Sequence, residues 1–406
     1  MDWRVFVILT AEGVLALLLL YISGAIRKPG QAALSAGLIA AAMYLRAMGF
    51  EWQTGDYNDF LTKWVAYFAD NGGFRGLSGS IGNYNIPYLY FLAWFSYSGI
   101  RDLYLIKLLS VFFDVILAWA SMQLAGVFVK SREEKIACFF FVLFLPTVIL
   151  NGSLWGQCDS IYTAFAVLGL YLALDERPWL SVCCIALSFA FKLQAVFILP
   201  VYAVLLFTGR IRLRHIAAFP AAYVLAVLPA VLLGRPFLET LTLYFSQAGT
   251  VGDALNYNAP SIFSLLPNIQ DAAKWSKPAV LWSFGFVALV LGAAAARRTA
   301  AGDKTVLAAA VLFAVGIPFL LPHMHDRYFY CADVLSMVLA FAVPQMLGLP
   351  LLVELGSFLS YYAYLRLRYL LPPAAGGWFM AAAFLAAGVC FAISLSSVKK
   401  SAVLRR

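Results

Sequence analysis

The chain has 406 residues, of which 63% are hydrophobic and only 12% charged, with a formal net charge of +9 and a mean hydropathy of +0.85. A soluble domain is about half apolar and a quarter charged, so the composition excludes that class and points to a protein embedded in lipid. The basic residues are dispersed among hydrophobic segments, which argues against nucleic acid as a partner and for charges that orient membrane helices.

A chain crossing the hydrocarbon core must satisfy its own backbone, as a helix or a closed barrel. The apolar runs at 5–22 and 279–296 are near-continuous and lack the alternation of barrel strands. The predicted class is therefore all-α, a polytopic integral membrane helical bundle. In chain order, spans are predicted at about 3–25, 31–48, 103–129, 136–152, 160–175, 179–193, 194–208, 216–233, 278–296, 305–321, 328–343, 347–365 and 374–396. A straight crossing takes about 20 residues, and several segments are shorter, so about 11–13 crossings are expected with one or two segments re-entrant. Residues 86–98 are too few to cross and read as an interfacial or half-inserted helix. The first run begins almost at Met1 with only Arg4 as a basic leader, so no cleavable signal peptide is predicted. Cys138, Cys158, Cys183, Cys184, Cys331 and Cys390 form no C-x-x-C pair or His/Cys cluster and read as small apolar packing residues.

Orientation comes from the basic residues. A cytoplasmic placement of Arg27/Lys28, Lys130/Arg132/Lys135, Arg177, Arg210/Arg212/Arg214, Arg297/Arg298/Lys304 and Lys399/Lys400/Arg405/Arg406 puts 16 of the 29 in short segments, as the positive-inside tendency requires. Arg366 and Arg368 then fall on the outer side. Two long polar stretches, about 49–102 and 234–277, become extracytoplasmic loops, and so do the turns at 155–160, 192–194 and 322–328. Nearly every polar motif thus gathers at one face. No internal repeat or linker divides the chain, which reads as one membrane domain of the cytoplasmic membrane with variable C-terminal helices at about 340–406.

The first outer loop places Asp56 and Asp59 beside Tyr57 and Phe60, with Trp64, Asn83, Tyr84 and Pro87 further on. A carboxylate against an apolar wall suits a general base; acids that cap helices in a solvated loop are the plainer alternative. Pro87 suits the start of a returning helix. The next motif runs from Asn151 to Ser160 and sets Trp155, Gln157 and Asp159 in a tight turn. There Asp159 either orients a partner or simply caps the helix after it. Lys192, next to Gln194, lies between two apolar stretches. A lysine at membrane depth costs ~2.5–3.5 kcal/mol and so needs a partner; a phosphate and Asp114 are the two considered. His323, His325, Asp326, Arg327 and Tyr328 come at the end of a predicted span. Arg clamps phosphate bidentately and His can donate to it, whereas zinc is poorly served by such adjacent ligands. Asn256 and Asn258 close the second loop, where they line the same cavity or serve turn chemistry.

Together these strings resemble the GT-C superfamily of membrane glycosyltransferases, in particular bacterial relatives of the mannosyltransferases that build glycosylphosphatidylinositol anchors. The resemblance runs from about 45 to 335 and rests on GDYNDF…W…NGGF…NYNIPYLY, WGQCDS, FKLQA, NYNAPSIF and PHMHDRY in that order. Relatives often carry Glu where Asp326 stands. The resemblance implies a GT-C type fold, a polyprenyl-phosphate sugar as donor and a glycan, glycolipid or protein as acceptor. It further implies inverting transfer with an acid of the first outer loop as base: Asp56, or less readily Asp59. Mannose is the sugar it suggests. Arg327, His325 and Lys192 would then face the donor phosphate, while Trp155, Gln157 and Asp159 position the sugar or the base. Members of this class divide on metals; no convincing ligand set is present, so no obligatory cofactor is expected, with a divalent ion as the alternative.

Two other classes fit the composition. A lipid-linked sugar transporter or flippase would expose its site to both faces and often shows inverted repeats. A non-catalytic assembly subunit would not need the acid and the cations.

Overall fold

The computed structural model describes residues 2–248, 252–269, 271–298 and 302–396. Lys399, Lys400, Arg405 and Arg406, and parts of the second long loop, lie outside them. All thirteen predicted spans are helical. The chain opens with α1 (Trp3–Ile22) and α2 (Pro29–Met48), the latter started by a proline in its first turn. The first loop then folds as a π turn (Tyr57–Leu61), α3 (Thr62–Asp70) and a 3₁₀ turn (Gly73–Ser78). It returns through α4 (Ile86–Phe95), with Pro87 in the first turn and Asn85 accepting from the Ile86 N–H.

Next come α5 (Asp102–Ala125), α6 (Arg132–Leu143), the short α7 (Pro146–Ile149) and a π turn (Leu150–Trp155). From α7 the chain passes into α8 (Asp159–Leu174), α9 (Pro178–Phe191), α10 (Pro200–Phe207), α11 (Leu213–Ile216) and α12 (Ala218–Leu232). The rest comprises α13 (Phe237–Ala248), α14 (Ala272–Ala296), α15 (Asp303–Leu320), α16 (Tyr330–Ala342), α17 (Gly348–Arg366) and α18 (Pro373–Ser396). Two short strands, β1 (Asn256–Tyr257) and β2 (Met324–His325), pair in parallel.

Among the described residues eight helices are long and apolar enough to cross a membrane, or nine if α6 and the segment Pro146–Trp155 form one span bent by 49°. The apolar segments α8, α9, α16 and 193–207, also among the expected crossings, are shorter and fall outside that length. One of them, α8, is in close contact with both α5 and α9, has most of its side chains buried, and runs from Asp159 at the loop end to Leu174, whose carbonyl accepts from Arg210 at the other. The helix α4, too short to cross, packs against α9 and α12 with most of its side chains buried. By contrast α1, α14 and α18 present Phe6, Trp282 and Leu385 outward, the pattern of lipid-facing helices.

Two of the cations buried in the bundle, Arg46 and Lys107, are matched by oxygens. Arg46 and Asp114 are both fully buried and meet at 3.0 Å, so Asp114 is not the partner of Lys192. Lys107 donates to the carbonyls of Gly49, Phe50 and Trp52 at 2.7, 3.1 and 2.5 Å, satisfying the end of α2. The basic turns gather at one end: Gln31 beside Arg27/Lys28 bonds Glu133, and Arg210 pairs with Asp303. The opposite end holds the two long loops, tied together where Arg235 donates to the Gly79 carbonyl at 2.6 Å. Arg366 stands at this end too, with its guanidinium over the Trp52 ring at 5.0 Å. All six cysteines are free thiols, five of them buried.

Candidate active site

Five motifs distant in sequence converge at the loop end. Asp56 precedes the first π turn, and its side chain is a quarter exposed. Its Oδ2 accepts from the Trp155 indole at 2.9 Å and from the Gln157 amide at 2.6 Å. Gln157 is itself oriented by the Tyr84 hydroxyl, which donates to Oε1 at 2.9 Å. Trp155 and Gln157 reach Asp56 because the second π turn ends at Gly156, whose φ of +78° is left-handed and disfavours any side chain. Both donors address Oδ2, and the Tyr364 hydroxyl also lies against the carboxylate. Asp59, the other acid considered, is exposed and makes none of these contacts among the described residues.

Asp159 is no helix cap. It is buried at the first position of α8, and its carboxylate binds Lys192 Nζ at 2.5 Å and Asn151 Nδ2 at 2.8 Å. Lys192 therefore has a carboxylate partner, and it also sits 5.8 Å from the Tyr84 ring.

Between the two acids lies Arg327. It approaches Asp56 at 3.6 Å, Asp159 at 3.7 Å and Asp326 at 3.9 Å, and its Cζ is 5.1 Å above the Trp155 ring. These distances give electrostatic attraction but are too long for hydrogen bonds. Arg327 Nε is buried with no hydrogen-bond partner. A guanidinium held by charge, with donors unspent, can accept an incoming anion.

The neighbouring residues divide between site and scaffold. His325 stacks on Tyr257 at 4.7 Å and 10°, and burial, reinforced by Arg327, lowers its pKa to about 4. Partial burial and the neighbouring guanidinium thus both favour its neutral form, against the expectation that it joins the cations. His323, with a φ of +62°, engages the Ala254 carbonyl and the Ser276 hydroxyl. Gln194 lies against the Tyr328 hydroxyl. Asn256 closes a turn with Ala259 through two 2.9 Å bonds, which is turn chemistry. Asn258 bonds the Ser360 carbonyl and faces Asp326. Asn83 is exposed at the bend before Tyr84.

Sequence reasoning missed Tyr361 and Tyr364 of α17. Tyr364 stacks on Trp155 at 3.9 Å and accepts from the Asp56 backbone N–H at 3.2 Å. Tyr361 accepts from Asn151 at 2.9 Å. No motif flags them; the one signal is a cluster of tyrosines near the end of a largely apolar helix. The C-terminal helices thus help to wall the site.

Gln157→Ala removes a donor from Asp56 and the link to Tyr84, and should lower kcat about 10-fold with folding retained; an unchanged kcat would count against the relay. A second expectation concerns pH. Burial raises the Asp326 pKa from 3.8 to about 7, so between those values the folded protein holds a proton that the unfolded chain releases. Stability therefore falls as pH rises through that window. His325 acts oppositely, its folded pKa of about 4 lying below the ordinary 6.5, so its contribution rises with pH over that range. Asp326→Asn isolates the first effect and should raise the melting temperature more at pH 8 than at pH 5. Equal shifts at both pH values would refute it.

The fold and the site define a polytopic α-helical membrane protein with an acid–guanidinium centre at one end of its bundle. Residues 83–322, more than half of the chain, match the family model for glycosyltransferase family 87. The chain belongs to glycosyltransferase family 87, a GT-C-type family. The match covers Tyr84, Trp155, Gln157, Asp159 and Lys192, while Asp56 and Arg327 lie outside it. Comparison with curated proteins gives no match.

Proposed function

We propose that this membrane glycosyltransferase moves a hexose from a polyprenyl-phosphate donor to an acceptor hydroxyl, with inversion, and with Asp56 as general base. The observation that carries the reading is the 3.6 Å approach of Arg327, its Nε unbonded, to the Asp56 carboxylate. One group can take a proton where the other can receive a phosphate.

In this scheme the acceptor oxygen attacks the anomeric carbon as the Asp56 carboxylate takes its proton. The bond from that carbon to the phosphate oxygen breaks, and the electron pair leaves with the lipid phosphate. A sugar hydroxyl is a weak nucleophile at neutral pH, so proton removal in the transition state matters. The growing phosphate charge meets Arg327, with Lys192 behind it. Inversion needs one base and no covalent carboxylate. Asp159, the other nearby acid, is committed to Lys192 and Asn151, which disfavours a nucleophilic role.

The donor's prenyl chain lies in the bilayer, and the site faces the extracytoplasmic side of the cytoplasmic membrane. That orientation is supported by the gathering of basic turns at the end away from the site. Mannose is the sugar proposed, on resemblance. The test is to incubate the purified protein with a panel of polyprenyl-phosphate hexoses and an acceptor extract. Release of lipid phosphate that requires acceptor supports the reading; hydrolysis or transfer from nucleotide sugars alone would overturn it.

A further inference from the structure

The span made of α6, α7 and the second π turn is broken inside the bundle, and the break leaves backbone groups that lipid cannot satisfy. Two charged side chains from other helices take them. Arg46 on α2 donates to the Leu143 carbonyl at the end of α6, at 2.8 Å, while its Nε holds Asp114 at 3.0 Å. On the far side of the break, Glu354 on α17 accepts from the Thr147 N–H at 2.7 Å and the Thr147 hydroxyl at 2.9 Å. Asp333 on α16 faces the same hydroxyl.

Beyond the break, the chain enters the turn that carries Asn151, Trp155 and Gln157 to Asp56. This turn is packed tightly against α2: a Cβ added at Gly49 would lie 2.5 Å from Leu154 Cδ1 and 2.9 Å from the Ser153 carbonyl. Thr147 and Trp155 are eight residues apart, roughly 12 Å along a helix. A small rotation at the break therefore moves the indole and amide donors out of reach of the Asp56 oxygen.

We propose that Glu354, with the Arg46–Asp114 pair, is a positioning residue: it clamps the broken helix so that Trp155 and Gln157 present their donors to Asp56. The inference rests on the reading of Asp56 as base, but the clamp has its own readout. In purified full-length protein, Glu354→Ala should speed hydrogen exchange of the amides at 147–157 by about 10-fold or more. Glu354→Gln, which keeps an acceptor for the Thr147 N–H, should remain within about 3-fold of the wild-type rate.

In transfer assays Glu354→Ala should cost about 10–30-fold in kcat with donor KM nearly unchanged. Combined with Gln157→Ala, the loss should fall well short of the product of the two single losses, because both act on one contact. Losses that multiply, or a Glu354→Gln enzyme as poor as Glu354→Ala, overturn the proposal, as does unaltered exchange. Should Glu354→Ala not fold, Thr147→Val deletes the hydroxyl's contacts with Glu354 and Asp333 but keeps the N–H bond, and should still accelerate exchange over the same residues; no acceleration there also overturns it. Faster exchange in a protein inactive on every polyprenyl-phosphate sugar would mean that the donor assignment fails while the clamp stands.

Discussion

Asp56→Asn is expected to lower kcat by about 10³-fold while the donor KM stays within about 3-fold. The substitution is nearly isosteric. The amide oxygen can still accept from Trp155 and Gln157, so the turn that holds residue 56 keeps its bonds. The lone pair on Oδ1 and the negative charge facing Arg327 are lost. Proton removal from the acceptor is a transition-state event, so the penalty falls on kcat and leaves ground-state donor binding largely alone. Asp59→Asn is the control: Asp59 is exposed and stands apart from the cluster, so its loss should change kcat by less than about 5-fold. Transfer kinetics on folded, membrane-inserted variants decide the matter. Full activity in Asp56→Asn, or a larger loss at Asp59, would remove Asp56 from the role of base.

Arg327→Met should produce a loss of similar size but a different kind, about 10³-fold in kcat/KM with both kcat and KM affected. The phosphate is anionic in the bound donor and more so as it leaves, so the guanidinium acts in both states. Arg327→Lys restores the charge as a point on a flexible stem, without the planar fork or the stacking over Trp155. It should recover at most about 10-fold of the lost activity. Lys192 does not substitute, because Asp159 already holds it at 2.5 Å. Binding of a non-transferable polyprenyl phosphate separates the two variants. Arg327→Met should weaken it markedly and Asp56→Asn should not; the reverse pattern would exchange their roles.

Much of the fold was legible along the chain. Apolar runs without period-two alternation identified thirteen helical segments, because a lipid-facing or buried helix must be hydrophobic over its whole length. The gathering of polar motifs at one end came from counting crossings between basic turns. Pro87 marked the return of the first loop, since a proline has a local backbone reason to sit in a helix's first turn. The pairings were not legible. Lys192 had two imagined partners, phosphate and Asp114, and found a third in Asp159, while Asp114 went to Arg46. Nor did any local feature show that His325 would be neutral, because burial and the neighbouring arginine decide it. Tyr364 carried no motif, yet it stacks on Trp155 and touches the Asp56 backbone across 308 residues of chain.

Sequence alone determined that this protein lives in a membrane as a bundle of helices, since that rests on hydrophobicity and backbone satisfaction, which are local sums. Only the tertiary structure decided which acid meets which cation, and that Arg327 stands between Asp56 and Asp159 with a donor unspent. Charges in a low-dielectric interior choose partners by distance in space, and the chain order of Asp56, Asp159, Lys192 and Arg327 carries no measure of that distance.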